Sequence, residues 1–285
     1  MSGESVPTRA DVRGAPTRAD VRRAPTRADV RGAPTRAEVC VIACAEAFRG
    51  DGEILASPFG PIPSLGARLA RLTFEPDLVL TDGEAALMVG TPPVGTPPAG
   101  ALAVEAPMPY RKIFDVVWSG RRHVMMMATQ IDRYGNQNIS CIGDWACPRA
   151  QLVGVRGAPG NTMNHATSYW VPRHSPRSFV ERVDMVCGVG SDRAREIVSP
   201  SARFHDLRVV VTNLAVLDFT GPGGEMSLRS VHPGVTPAEV QKATGFELHG
   251  CLGSEVPETR LPTPDELELL RGYLDPEGLR ETELA

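Results

Sequence analysis

Behind Thr35 the apolar residues return at helical spacing: Val39, Ile42, Ala43, Ala47 and Phe48 fall on one stripe that stops at Gly50-Asp51-Gly52. Thr35 and Glu38 stand three residues apart at its start, the spacing of a capping box in which the hydroxyl and the carboxylate serve each other's backbone N–H. The run 53–57 then reads as a short buried strand, and 64–72 as a helix with Leu65, Leu69 and Leu72 inward. Residues 76–81 read as a β-branched apolar strand. Strand, helix, strand in this order predicts a βαβ unit and a parallel sheet, where ligands bind beyond the carboxyl ends of strands. Asp82, Gly83 and Glu84 occupy such a strand end.

Residues 90–109 hold six prolines and predict a long exposed loop or flap. A helix is expected around 110–118 and a strand over 122–130, with Met125, Met126 and Met127 as core filler. In the stretch from Gln130 to Ser140, Asp132, Asn136 and Asn138 surround a Gly135-Asn136 turn and can tie it to its own backbone. Residues 178–186 alternate at period two like a strand. Residues 208–212 and 215–219 resemble a strand pair folded about Asn213. Two further helices are expected, one capped by Thr236 with Pro237 at its first position, the other running from Thr263 through Tyr273. Seven or so strands with interleaved helices fit one α/β domain.

The first 33 residues obey no such pattern. From Pro7, Pro16, Pro25 and Pro34 the phrase Pro-Thr-Arg-Ala recurs at a period of nine, with one valine per copy to bury. Each proline removes a helical donor and clashes with the preceding turn, so residues 1–33 are expected to form a disordered tail and 34–285 the folded domain. Composition changes this picture little. A formal net charge of -4 and a pI near 5.9 leave no electrostatic footprint for nucleic acid. No run approaches the roughly 18 to 20 apolar residues of a membrane span, and the N-terminal residues lack the apolar core of a signal peptide, so a cytosolic protein is expected. Cys40, Cys44, Cys141, Cys147, Cys187 and Cys251 contain no Cys-x-x-Cys pair, and no residue cluster has metal-ligand spacing. Reduced thiols and no metal are the expectation.

Candidate chemistry gathers in 154–165. Gly154, Gly157 and Gly160 lie within seven residues, followed by Asn161, Asn164 and His165. A glycine-rich turn lets backbone approach a ligand, and converging N–H groups there can hold an anion or a developing oxyanion. The same residues also suit an ordinary surface turn.

Several phrases in order carry a resemblance: Gln130 to Asn138, Gly157-Ala-Pro-Gly-Asn161, Val211 to Phe219, His232 to Thr236 and Ala243 to Phe246. Together with the acidic turn after Thr81 they resemble the β subunits of the class I coenzyme A transferase family, over about residues 35–275. The resemblance implies an open α/β fold of the coenzyme A transferase type, a mostly parallel sheet flanked by helices, and a separate α subunit that completes the active site. It implies a CoA-thioester substrate and no further cofactor. It also implies a nucleophilic Glu in a Glu-Ser-Gly or Glu-Asn-Gly turn that captures CoA as a glutamyl thioester. Here Asp82 stands at the Glu position, Gly83 at the Ser/Asn position and Glu84 at the Gly position. Aspartate is one methylene shorter, which an attack geometry tolerating well under about 1 Å of error does not absorb.

The Thr81-Asp-Gly-Glu84 phrase, the run from Gly160 to Trp170, Thr35 to Cys40 and Thr259 to Pro262 resemble a branch of that family, the β subunits of actinobacterial cholesterol ring-cleaving hydrolases. That resemblance implies hydrolysis of a carbon–carbon bond in a cyclohexenone CoA thioester during steroid catabolism. Water adds to the ring ketone, and the electron pair of the breaking bond moves to the carbon beside the thioester as an enolate, so the site needs a general base and oxyanion donors rather than a CoA-capturing nucleophile. Asp82, Glu84 and Asn161 are the candidate catalytic residues; Gly157, Gly160, Gln130, Asn138, Asn164 and His165 are candidate substrate contacts. A transferase subunit, or a partner subunit without chemistry of its own, are the alternatives.

Overall fold

The computed structural model describes residues 32–81, 86–95, 103–197, 200–251 and 255–284. Residues 1–31 and the candidates Asp82 and Glu84 lie outside these residues, whereas the last copy of the repeat, from Pro34, lies within them. In chain order the elements are α1 (Arg36–Glu46), β1 (Leu55–Pro58), α2 (Pro61–Thr73), β2 (Ala86–Met88), β3 (Val104–Pro107), α3 (Tyr110–Val117), β4 (Arg122–Met127), β5 (Gln130–Ile131), β6 (Gln137–Asn138), β7 (Cys141–Ile142) and β8 (Ala150–Gln151). There follow α4 (Ala158–Asn164), β9 (Ala166–Val171), α5 (Ser191–Glu196), β10 (Asp206–Thr212), β11 (Ala215–Asp218), β12 (Ser227–Val231), α6 (Pro237–Lys242), α7 (Pro264–Leu269) and α8 (Leu279–Thr282).

The central sheet runs β1-β4-β9-β10-β11-β12, parallel through its first four strands and antiparallel over the last three. Strand alternation sorts the side chains between two cores. Met125, Trp170, Val209 and Val211 meet α1 and α2 on one face; Val124, Met126, Tyr169, Val210 and Leu217 form the other core with α4, α6 and the β5–β6 corner. Strands buried on both faces read as near-continuous apolar runs, which is how Val124 to Met126 and Val209 to Val211 look in the sequence.

The expected capping box forms at Thr35/Glu38, and the helix starts at Thr236 and Thr263 also close boxes, with Glu239 and Glu266. Helices α1 and α2 cross where Gly66 has no Cβ: one built there would stand 2.7 Å from Cys44 Cβ and 2.9 Å from the Ala45 backbone nitrogen.

Three expectations are corrected. Residues 178–186 make only one isolated bridge, between Ile131 and Phe179. Phe179 stacks on His174 with centroids 3.8 Å apart, and Asp184 bonds Gln130 and Gly143, so side-chain ties replace a ladder. Residues 76–81 likewise form isolated bridges, Val79 with Leu55 and Thr81 with Leu87, because edge strand β1 offers them only a short pairing length. The glycine-rich stretch is a helix, not a loop: Gly154 (φ 89) and Arg156 (φ 53) turn the chain, Gly157 caps α4, and Pro159 sits in the first turn, where its missing N–H costs no helical bond.

Candidate functional site

Helix α4 packs on the sheet face that carries Arg122, Val124 and Met126. Asn161 is the residue it turns toward them. The Asn161 side-chain carbonyl accepts from Arg122 Nη1 at 3.0 Å, and its amide nitrogen lies 3.3 Å from Met126 Sδ. Because guanidinium is donor-only, the oxygen of Asn161 must face it, and the amide N–H groups then face a thioether, a weak acceptor. Gly157 flanks that amide: a Cβ there would stand 3.7 Å from Asn161 Nδ2. A Cβ on Gly160 would stand 3.8 Å from Val117 Cγ1 of α3.

His165 caps the C-terminal end of α4 and is fully buried, with neither ring nitrogen hydrogen-bonded. Burial, reinforced by the charge of Arg122, pushes its pKa down to about 4, so the ring is neutral at pH 7. Asn164 is turned back along the helix, its amide donating to the Gly160 carbonyl at 2.9 Å. His205, just before β10, braces α4, its Nδ1 2.7 Å from the Thr162 carbonyl.

Gln130 and Asn138 stand apart from this group, in the corner formed by β5 and β6. Asn138 donates to Gln130 Oε1 (2.7 Å) and to the Cys141 carbonyl (2.7 Å), and Gln130 donates to Asp184 (3.0 Å). Every one of these polar groups closes the corner on itself. At its tip Asp132 accepts from the backbones of Tyr134 and Asn136, each at 3.0 Å. Burial nevertheless raises its pKa to about 6, with the charge of Asp192 adding to the effect. The fold therefore gathers Gly157, Gly160, Asn161, Asn164 and His165 around α4, and leaves Gln130 and Asn138 as a separate buried network.

Sequence reasoning passed over Arg122, which bonds Ser57 Oγ (2.8 Å) as well as Asn161 and has no acidic partner among the described residues. The signal was there: alternation along β4 puts residue 122 on the same inward face as Val124 and Met126. It also passed over Asp51, His123 and Ser168, linked as carboxylate, imidazole and hydroxyl at 2.7 and 2.9 Å. That series has the composition of a hydrolytic triad. It is a structural tie here, because all three side chains are buried on the α1 side and the Phe48 ring lies 4.7 Å from the imidazole, leaving Ser168 no access to a substrate.

Beside α3 a groove of about 420 Å³ is lined by Leu55, Val79, Leu87, Met108, Val116 and Arg121, among others. Leu55, which lines this groove, is the strand-register partner of Arg122. The exposed rings of Tyr110, Phe114 and Trp118 recur every four residues along the same helix, Tyr110 and Phe114 packed edge to face.

The family model for coenzyme A transferase matches residues 41–243. The chain belongs to the coenzyme A transferase family. It is 53% identical over 246 residues to the IpdB subunit of the cholesterol ring-cleaving hydrolase of Mycobacterium tuberculosis, covering 86% of this chain and 97% of that one. The crystal structure of IpdAB from Rhodococcus jostii superposes with a TM-score of 0.84 at 53% identity, over 88% of this chain and 99% of that chain. A 3-oxoadipate CoA-transferase subunit of Pseudomonas knackmussii is 31% identical, over 74% of this chain and 82% of that subunit. The open, mostly parallel α/β fold expected from the sequence is the fold observed.

Proposed function

We propose that this chain, with its domain over residues 34–285, is the β subunit of a heteromeric hydrolase that opens a cyclohexenone CoA thioester in steroid breakdown. It works in the cytoplasm with an α subunit. One observation carries the reading: identity to a ring-cleaving hydrolase subunit is 53% over nearly that subunit's full length, against 31% to a transferase subunit. The sequence Asp82-Gly83-Glu84, where transferases keep their nucleophilic turn, agrees with it.

In this reading the α subunit supplies the general base for water. The β subunit supplies polarity where charge develops: Asn161 offers amide hydrogens, and Gly157 and Gly160 leave room for the acyl group beside them. CoA enters as part of the substrate and no further cofactor is needed. His165 and Asn164 shape the cradle, while Gln130 and Asn138 hold the separate β5–β6 corner. Asp82 and Glu84 take part in positioning or proton transfer. No helix among the described residues is long and apolar enough to cross a membrane.

The deciding experiment is co-expression with the α subunit, followed by assay of the purified complex on a panel of thioesters. Ring opening with water incorporated into the product supports the reading. CoA exchange between acids, with a hydroxylamine-sensitive acyl adduct on Asp82 or Glu84, replaces it with the transferase.

A further inference from the structure

Arg122 carries a charge that nothing in the described chain neutralises. It is only 8% exposed, yet its hydrogen bonds go to two neutral oxygens, Ser57 Oγ and Asn161 Oδ1. Burying a charge without a counter-charge is strongly unfavourable, so such a group is either paired or awaiting a partner. A second, independent observation lies next to it. His165 is wholly buried and neither ring nitrogen has a partner, although buried polar atoms are almost always satisfied. The third is the orientation of Asn161. Arg122 takes its oxygen, so its amide hydrogens are left to the Met126 sulfur at 3.3 Å, which a better acceptor would displace.

We propose that Arg122, with Asn161 and His165, forms a seat for an anionic oxygen of the acyl group of a CoA thioester. Arg122 is the counter-charge, the Asn161 amide the second donor, and neutral His165 the wall that supplies one further donor or acceptor. The seat rests on the hydrolase reading for its ligand, not for its geometry. Two acyl oxygens have the right chemistry. One is the thioester enolate oxygen, which becomes negative when the electron pair of the breaking ring bond moves to the carbon beside the thioester; no proton need move at the seat. The other is a carboxylate already present on the substrate. Both are small, as a seat closed by buried side chains requires.

The test uses Arg122→Gln and Arg122→Met in the assembled α–β complex. Turnover is measured on a cyclohexenone-carboxyl-CoA, and binding is measured by calorimetry with glutaryl-CoA, its terminal carboxamide analogue and free CoA. If the seat holds the enolate, kcat falls roughly 100- to 1,000-fold while KM changes little, the effect of removing one oxyanion donor. If it holds a substrate carboxylate, the preference of wild type for glutaryl-CoA over its carboxamide is lost in both variants and KM rises at unchanged kcat. Either result supports the seat. Without ligand, Arg122→Met should melt at the wild-type temperature or above it, because it removes an uncompensated buried charge. A lower melting temperature, with free CoA weakened as much as glutaryl-CoA, would assign Arg122 a merely structural role and overturn the proposal. So would unchanged kcat, KM and carboxylate preference. Should the wild-type complex open no ring, the hydrolase reading fails together with the enolate occupant, and the calorimetric preference for glutaryl-CoA over its carboxamide decides the seat: lost in both variants it supports a carboxylate seat, unchanged it overturns the proposal.

Discussion

Asn161 is the side chain on which the most chemistry turns, because a single atom exchange there changes the charge of the site. Asn161→Asp would place a carboxylate 3.0 Å from Arg122 Nη1 and neutralise the guanidinium from within. The expected outcome is a melting temperature at or above wild type together with a 100- to 1,000-fold drop in turnover, roughly the cost of one oxyanion donor; a variant that melts lower and still turns over normally would exclude Asn161 from the site. Buried imidazoles set a second residue-scale expectation. Burial pushes His165 and His232 down to about 4 and His174 to about 3, against 6.5 for a free imidazole. Between about pH 6.5 and 3 the unfolded chain therefore binds more protons than the fold, and stability falls as pH drops through that window. Denaturant unfolding at pH 7, 6, 5 and 4 checks this: a midpoint that holds constant to pH 4 would contradict neutral, buried rings. These details were only partly legible in the sequence. Asn161 and His165 stand out by type, whereas Arg122 looks like an ordinary strand residue until β4 is paired and α4 is packed over it.

At the scale of elements, α1 and α2 owe their close crossing to Gly66. A Cβ at that position meets Cys44 and the Ala45 backbone at less than 3 Å, and backbone cannot swing away as a side-chain tip can. Gly66→Ala should thus destabilise the fold by about 1–3 kcal/mol despite alanine's better helix propensity; thermal melts that show stabilisation would mean the helices shift freely. Helix α3 makes the opposite kind of claim. Phe114 and Trp118 are 51% and 67% exposed, and an exposed aromatic stripe marks an interaction site. Phe114→Asp should leave the isolated chain's melting temperature within a degree or two and lower the yield of α–β complex in co-purification; an undiminished complex would place the subunit contact elsewhere. The capping boxes and helical stripes were readable because they depend on neighbours three and four residues apart. The helix at Ala158–Asn164 was not, since three glycines and a proline within seven residues look like a loop until the chain on either side is in place.

Across the whole molecule, Glu38 holds the start of the domain to its end. Its carboxylate, fully buried, accepts from Arg271 Nε and Nη2 (2.7 Å each) and from Arg280 Nη2 (3.0 Å), while Arg280 also bonds Asp275 at 2.8 Å. Burial alone would raise its pKa, but the Arg271 bonds, with help from the Thr35 N–H and Arg280, hold it below the usual carboxylate value. Glu38→Gln would leave two cations facing a neutral amide and should cost about 3–5 kcal/mol, the usual effect of breaking a buried pair from one side. Chemical denaturation of wild type and variant measures it, and a difference under about 1 kcal/mol would show that the clasp is solvated in solution.

By itself the sequence determined the elements and their class. Apolar periodicity, capping residues and turn residues are local, so α1, α2, the strand pair about Asn213 and the α/β architecture can be read along the chain, and the succession of phrases marks the family. Tertiary structure decided which polar residues meet. Arg122 and Asn161 are 39 residues apart, Asp51 and His123 72, Glu38 and Arg280 242. Contacts at such separations are set by strand order and helix packing, which no local pattern encodes. Only the fold therefore turns a strand arginine, a helix asparagine and a lone histidine into one site, and a Ser-His-Asp series into a structural tie.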